Sequence, residues 1–298
     1  MTETASEPRK SRLPAWLRAL RPKQWVKNIL VFTAPLAAGR LTDLPVLQAC
    51  ALAFVTFCLI SSSVYLINDV RDADADRQHP SKRFRPIAAG ELAVAPAIVL
   101  AAVIGVAALV LAWLVSPLLL ATVAFYWVLQ VCYSVFLKHQ PIIDLAVVAA
   151  GFLLRAVAGG VAADVPLSQW FLLVASFGSL FMVAGKRYSE LKTLGDESGT
   201  RPSLESYSLS YLSMIWIVSI AVVIVCYGLW AFEQSGSQLW GVAWNAISIA
   251  PFTLAILRYA MAIDAGRAGE PEEVVLSDRV LQALALLWIA PVAISVFA

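Results

Sequence analysis

The stretch PVLQACALAFVTFCLISSSVYLINDVRDADAD, residues 45–76, joins two kinds of sequence that rarely meet in a soluble chain. From Pro45 to Ile67 no residue carries a charge, and the run exceeds the ~20 residues needed to cross ~30 Å of hydrocarbon. Four aspartates then follow within nine residues, in the motif NDVRDADAD at 68–76. At about 100° per residue, Asn68, Asp72 and Asp76 fall at about 0°, 40° and 80°, and Asp69 at about 100°. Four oxygen-bearing side chains therefore share one helical face, while Asp74 points elsewhere and reads as a solvated charge. Like charges at this spacing destabilise a helix, and at a membrane boundary ionised groups mark function. Hard oxygen donors without cysteine or neighbouring histidine suit Mg²⁺, which takes one or two carboxylates together with substrate phosphates.

The rest of the chain extends the membrane reading. Of 298 residues, 60% are hydrophobic and 14% charged, against ~25% charged in soluble domains. A water-soluble globule and a disordered chain are both excluded. The 4 cysteines each lie inside an apolar run and give no disulfide framework. Apolar stretches at about 26–40, 45–67, 93–114, 117–136, 141–163, 167–185, 210–232, 240–260 and 279–298 predict an all-α integral membrane protein of about nine transmembrane helices. Residues 1–24 read as a polar, basic segment, and 25–298 as one polytopic unit with long loops at about 68–92 and 186–209. Nearly all Lys and Arg outside the spans lie on one set of connections, and Arg40 alone on the other. The positive-inside rule makes the N-terminus cytoplasmic and the C-terminus exterior. Long connections rarely persist unless they act, so the chemistry is expected at the cytoplasmic face of the inner or plasma membrane.

Directly after the aspartates comes HPSKRFRPIAAGEL, residues 79–92, where Lys82, Arg83 and Arg85 supply cations. Arginine offers the forked donors that fit phosphate oxygens, and charge of both signs suits a metal-bridged diphosphate. His79 precedes a proline in this loop and is a lesser candidate. Arg155 sits inside the fifth apolar stretch, with Asp144 the one acid on its own helix. A cation at that depth is expected to bind phosphate or to form a structural ion pair.

These motifs resemble the UbiA-type intramembrane prenyltransferase superfamily. The likeness runs through RPKQWVKN at 21–28, VYLINDVRDADADRQHPSKRFRPIAAG at 64–90, FLLRAVAGGVA at 152–162 and GSLFMVAGKRYSEL at 178–191. It implies a UbiA-like helical bundle with the active site at the cytoplasmic side. Members acting on aromatic acceptors carry a second aspartate-rich motif where this chain reads GKRYSEL. Here Lys186 and Arg187 stand with Glu190, an arrangement fitted to an additional phosphate. Within the superfamily the chain is similar to the branch that transfers phosphoribose to lipid phosphates.

The resemblance implies 5-phosphoribosyl 1-diphosphate as donor, a polyprenyl (decaprenyl) phosphate as acceptor and Mg²⁺ as cofactor, opening the route to the lipid-linked arabinose donor of cell-wall arabinan. Asp69, Asp72 and Asp76 are the expected catalytic acids, and with Asn68 the metal ligands. Lys27, Tyr65, Lys82, Arg85, Lys138, Arg155, Lys186 and Arg187 are the expected substrate-binding residues, with His139 beside them of lower rank. The lipid bilayer is the surrounding partner, nucleic acid is not expected, and self-association is left open. The rival readings are a Mg²⁺-dependent prenyltransferase with an aromatic acceptor and, outside enzymes, a transporter.

Overall fold

The computed structural model describes residues 13–194, 206–234 and 242–297. Eight long helices carry the architecture: α1 (Leu44–Arg71), α2 (Val94–Val115), α3 (Pro117–Val135), α4 (Ile143–Ala162), α5 (Gln169–Leu194), α6 (Leu209–Glu233), α7 (Trp244–Asp264) and α8 (Arg279–Phe297). The first seven are long and apolar enough to cross a membrane, and in α8 the apolar stretch runs Arg279–Ser295. Apolar side chains such as Val103, Trp113, Phe125 and Leu286 face outward, as they do in a chain whose solvent is lipid. Short connections make neighbours antiparallel, and the chain is a multi-pass membrane protein.

The expected span at 26–40 takes a different form. Pro22–Phe32 is a 3₁₀-helix of 11 residues, followed by a short α-helix, Thr33–Ala37. In a 3₁₀-helix residues three apart eclipse one another, and the face Pro22, Trp25, Asn28, Val31 repeats at that interval. Trp25 Nε1 donates to Ser62 Oγ at 3.0 Å, Asn28 Nδ2 to Cys58 Sγ at 3.3 Å, and Val31 is fully buried. On the outer side Val26 and Ile29 are exposed. At about 2.0 Å of rise per residue the 3₁₀ segment alone covers about 22 Å, most of a membrane's apolar depth.

Small residues set the helix spacing. The face Ala97, Ala101, Gly105, Ala108, Ala112 of α2 is buried against α1, and Ser63 Oγ donates to the Ala101 carbonyl at 2.8 Å. Close approach of this kind replaces the hydrophobic drive that lipid removes. One apolar cluster joins α1 to α4 around Phe57, Leu119 and Tyr126, and another joins α4 to α7 around Phe181, Leu212 and Ile263. Part of the basic N-terminal segment is packed as well: Ala19 and Leu20 bury against Leu66, Ile87 and Ala97, which delivers Arg21 to the end of α1.

The loop expected at 68–92 is built of two short helical pieces, Ala73–Gln78 and Lys82–Phe84. Of the region expected as a loop at 186–209, Lys186–Leu194 continues α5. Residues 195–205 lie outside the described residues, as do Arg9, Lys10 and Arg12 of the basic N-terminus.

Candidate active site

Helix α1 ends at Arg71, and Asp72 occupies the junction before Ala73–Gln78 with φ −91° and ψ 5°. The break divides the acidic face. Asp69 and Asp76 stay together, both buried, and a single atom links them: Arg85 Nη1 lies 3.2 Å from Asp69 Oδ1 and 2.6 Å from Asp76 Oδ2. Arg21 also pairs with Asp69, and its guanidinium lies 5.0 Å from the centre of the Tyr65 ring. Arg21 itself has φ 55°, a left-handed conformation that costs energy in a non-glycine residue.

Asp72 instead meets Lys138 Nζ at 2.7 Å, across from the connection between α3 and α4. Asn68 is half-buried on the last turn of α1, its carbonyl accepting the Asp72 N–H at 2.9 Å. Asp74 pairs with Arg77 at the surface, the solvated role expected of it. His79 turns its Nδ1 to the backbone N–H groups of Ser81 and Lys82, at 3.2 and 3.3 Å, and so shapes the loop. Lys82 is half-buried and His139 exposed.

Arg155 is buried; of the two roles expected for it, phosphate binding or a structural ion pair, the second is not made with Asp144, which lies about 16 Å away along the helix and pairs with Arg187. Its Nε donates to Asn28 Oδ1 at 2.7 Å, its Nη2 to Tyr126 Oη at 2.9 Å and its Nη1 to the Gly151 carbonyl. The rings of Tyr126, Phe152 and Phe57 stand 5.0, 5.7 and 5.8 Å away. Burying a guanidinium costs several kcal/mol; charged hydrogen bonds at about 1.5–3 kcal/mol each and the ring faces offset that cost. No carboxylate pairs with Arg155 among the described residues. Lys27 is half-buried one residue before Asn28.

The second cationic cluster divides. Lys186 lies 3.8 Å from Glu190 and 3.7 Å from Glu270 and remains partly exposed. Arg187 turns inward and pairs with the buried Asp144 at 3.1 Å. Tyr207 donates its hydroxyl to the same carboxylate and accepts the Ile142 N–H. Burial, and then the Asp144 carboxylate, push the Tyr207 phenol far above its ordinary range, so it stays protonated. Sequence reasoning placed neither Arg21 nor Tyr207 in the site. In the sequence Arg21 is one of the basic residues that set the orientation, and its one further signal is its place at the head of RPKQWVKN.

Among the described residues no three acidic or histidine side chains converge as a ready-made metal site. The donor chemistry nevertheless suits a hard divalent cation. Arg85 Nη1 already occupies the position of a cation shared by Asp69 and Asp76, all available donors are oxygen, and Mg²⁺ needs only one or two carboxylates when phosphates complete its shell. Arg21, Arg85 and Lys138 can exchange their carboxylate partners for phosphate oxygens, so the cluster is suited to holding a metal-bridged polyphosphate.

Comparison with known proteins places the chain by family and fold. The UbiA prenyltransferase family matches residues 29–204. Decaprenyl-phosphate phosphoribosyltransferase of Mycobacterium tuberculosis is 50% identical over 99% of this chain and 98% of its own length, and that of Mycolicibacterium smegmatis is 50% identical over 97% and 95%. The solved structure of a UbiA homolog from Archaeoglobus fulgidus bound to GPP and Mg²⁺ superposes with a TM-score of 0.69, at 16% identity, over 94% of this chain and 98% of that one. The all-helical bundle is the fold shared with that structure, and the chain belongs to the UbiA prenyltransferase family.

Proposed function

We propose that the protein transfers 5-phosphoribose from 5-phosphoribosyl 1-diphosphate to a polyprenyl phosphate such as decaprenyl phosphate, releasing diphosphate. The product opens the route to a lipid-linked arabinose donor for cell-wall arabinan. The observation that carries this reading is half-identity over nearly the full chain to proteins named for that reaction, with the whole acid–base cluster inside the shared length.

Substitution occurs at the anomeric carbon. An acceptor phosphate oxygen forms the new C–O bond, while the bond to diphosphate breaks and its electron pair leaves with the diphosphate. A phosphate monoester has its second pKa near ~6, so the acceptor is an oxyanion at neutral pH and needs no general base. This fits a chain whose 2 histidines are a loop-shaping His79 and an exposed His139. Asp69 and Asp76, with Asn68 and Asp72, would hold Mg²⁺. When bound, the ion supplies neutralisation of the charge that grows on the leaving diphosphate. Arg21, Arg85, Lys82 and Lys138 hold diphosphate oxygens, with Lys27 and Tyr65 beside the ribose. Arg155 adds positive potential from below in a medium where charges act at longer range. Lys186 is the cation open to a further phosphate, since Arg187 is committed to Asp144.

The bias of Lys and Arg supports a cytoplasmic N-terminus and site, an exterior C-terminus and residence in the plasma membrane, with residues 25–298 as one catalytic unit. The test is transfer of label from ribose-labelled donor into the lipid-extractable fraction by purified protein. Chelator-sensitive transfer that requires polyprenyl phosphate is expected; label that stays in the aqueous phase while wild-type protein remains folded contradicts the reading.

A further inference from the structure

Ile142 has φ 68° and ψ −48°, and the Ile143 N–H bonds back to the Pro141 carbonyl at 2.8 Å. This is a γ-turn with positive φ, a rare and strained conformation, and costlier still for a β-branched residue. Strain of this kind persists only where the surroundings over-determine it. The Ile142 side chain is exposed, so packing does not hold the turn. Backbone bonds from the Asp144 N–H to the Gln140 carbonyl and from the Ala146 N–H to the Ile142 carbonyl brace it, and one buried hydroxyl ties its N–H: Tyr207 Oη accepts the Ile142 N–H and donates to Asp144, which Arg187 fixes from α5.

Four residues before Ile142 stands Lys138, the partner of Asp72. Lys138 sits in a tight turn, Leu137–His139, and Gln140 and Pro141 lead from it to Ile142. Proline has a fixed φ, so a change of φ at Ile142 is not absorbed there and swings Lys138 relative to α4.

We propose that Tyr207 is a positioning residue: by holding the strained turn at Ile142 it sets Lys138 against Asp72 and thereby shapes the diphosphate site from the short non-helical segment before α6. The link to catalysis rests on the functional reading above; the mechanical link does not. It also ties Arg187 to the acidic cluster by structure instead of substrate contact.

The experiment combines hydrogen exchange, read by mass, with steady-state kinetics on the full chain in detergent, comparing wild type, Tyr207→Phe, Ile142→Gly and the double variant. Tyr207→Phe is expected to speed exchange over 137–144 and over 69–78, and to raise donor KM with little change in kcat. Each shift should be about tenfold, the factor matching strain of this size. Glycine takes positive φ freely, so adding Ile142→Gly should return both readouts towards wild type. Unchanged exchange over 69–78 in Tyr207→Phe overturns the proposal, and so does a double variant as impaired as the single. If Tyr207→Phe exchanges throughout, the double variant must restore protection, or the hydroxyl supports more than this turn and the proposal fails. Should wild type itself make no product, the functional reading falls, and the exchange profiles still decide the positioning claim.

Discussion

Gly159 on α4 faces the Val31 carbonyl with no room for a side chain: a Cβ built on Gly159 would lie 1.6 Å from the Val31 oxygen. The obstacle is backbone, so it yields only if the 3₁₀ segment moves, and that segment follows directly on Arg21. Gly159→Ala should cost about 1–3 kcal/mol or more and lower activity through displaced Arg21. Gly228→Ala is the control, since nothing lies within 4 Å of its added Cβ. Melting temperature and turnover of the two variants check this; equal behaviour would contradict it.

Arg85 serves two carboxylates through one nitrogen, and a lysine could place one nitrogen there but lacks the remaining guanidinium donors that fit phosphate oxygens. Arg85→Lys should lower kcat/KM by about tenfold or more while the protein stays folded. Asp72→Ala should abolish turnover yet leave the chain extractable in detergent. Kinetics beside a monodispersity measurement separate these outcomes from unfolding.

Arg155→Met removes three donated hydrogen bonds and leaves Asn28 Oδ1 without the donor it has here. An unsatisfied buried acceptor costs about 1–3 kcal/mol. The variant should melt earlier and lose donor affinity, because Asn28 anchors the 3₁₀ segment that follows Arg21. Arg155→Lys should fall short of restoring either, as an ammonium does not span the same three acceptors.

Much of this was legible beforehand, for identifiable reasons. Helices α1 to α7 follow from apolar lengths alone, since a membrane allows little besides helix. The segment at 22–32 was harder, because its buried residues recur every three positions and one of them, Asn28, is polar. The acidic residues were found by spacing, but the helix break at Asp72 sends that side chain to Lys138 while Asp69 and Asp76 remain paired through Arg85. The partners of Arg155 and Arg187 were hidden for a different reason. Asn28 lies 127 residues from Arg155 in sequence, and no local pattern announces a contact at that distance.

At the start of α8, Asp278 accepts the N–H groups of Leu281 and Val280 and pairs with Arg258 at 2.8 Å. The Leu281 N–H first, and then Arg258, hold its carboxyl below the usual carboxylate range. A depressed folded-state pKa gives stability that is present above the unfolded value, ~3.9, and lost as pH falls through the folded one. Asp278→Asn keeps an oxygen for the cap but does not ionise. Its melting temperature should lie below wild type at pH 7, and the gap should close in acid below about pH 4. A gap constant with pH would contradict the assignment.

The most direct test of the central claim is a competition in one vessel. Purified protein is given Mg²⁺, phosphoribosyl diphosphate, decaprenyl phosphate, geranyl diphosphate and an aromatic acceptor, and the extracted lipids are weighed by mass spectrometry. The account predicts a single new lipid, decaprenyl phosphate carrying a phosphoribosyl group, absent with chelator and absent with Asp72→Ala. A prenylated aromatic product with decaprenyl phosphate left unmodified would contradict it.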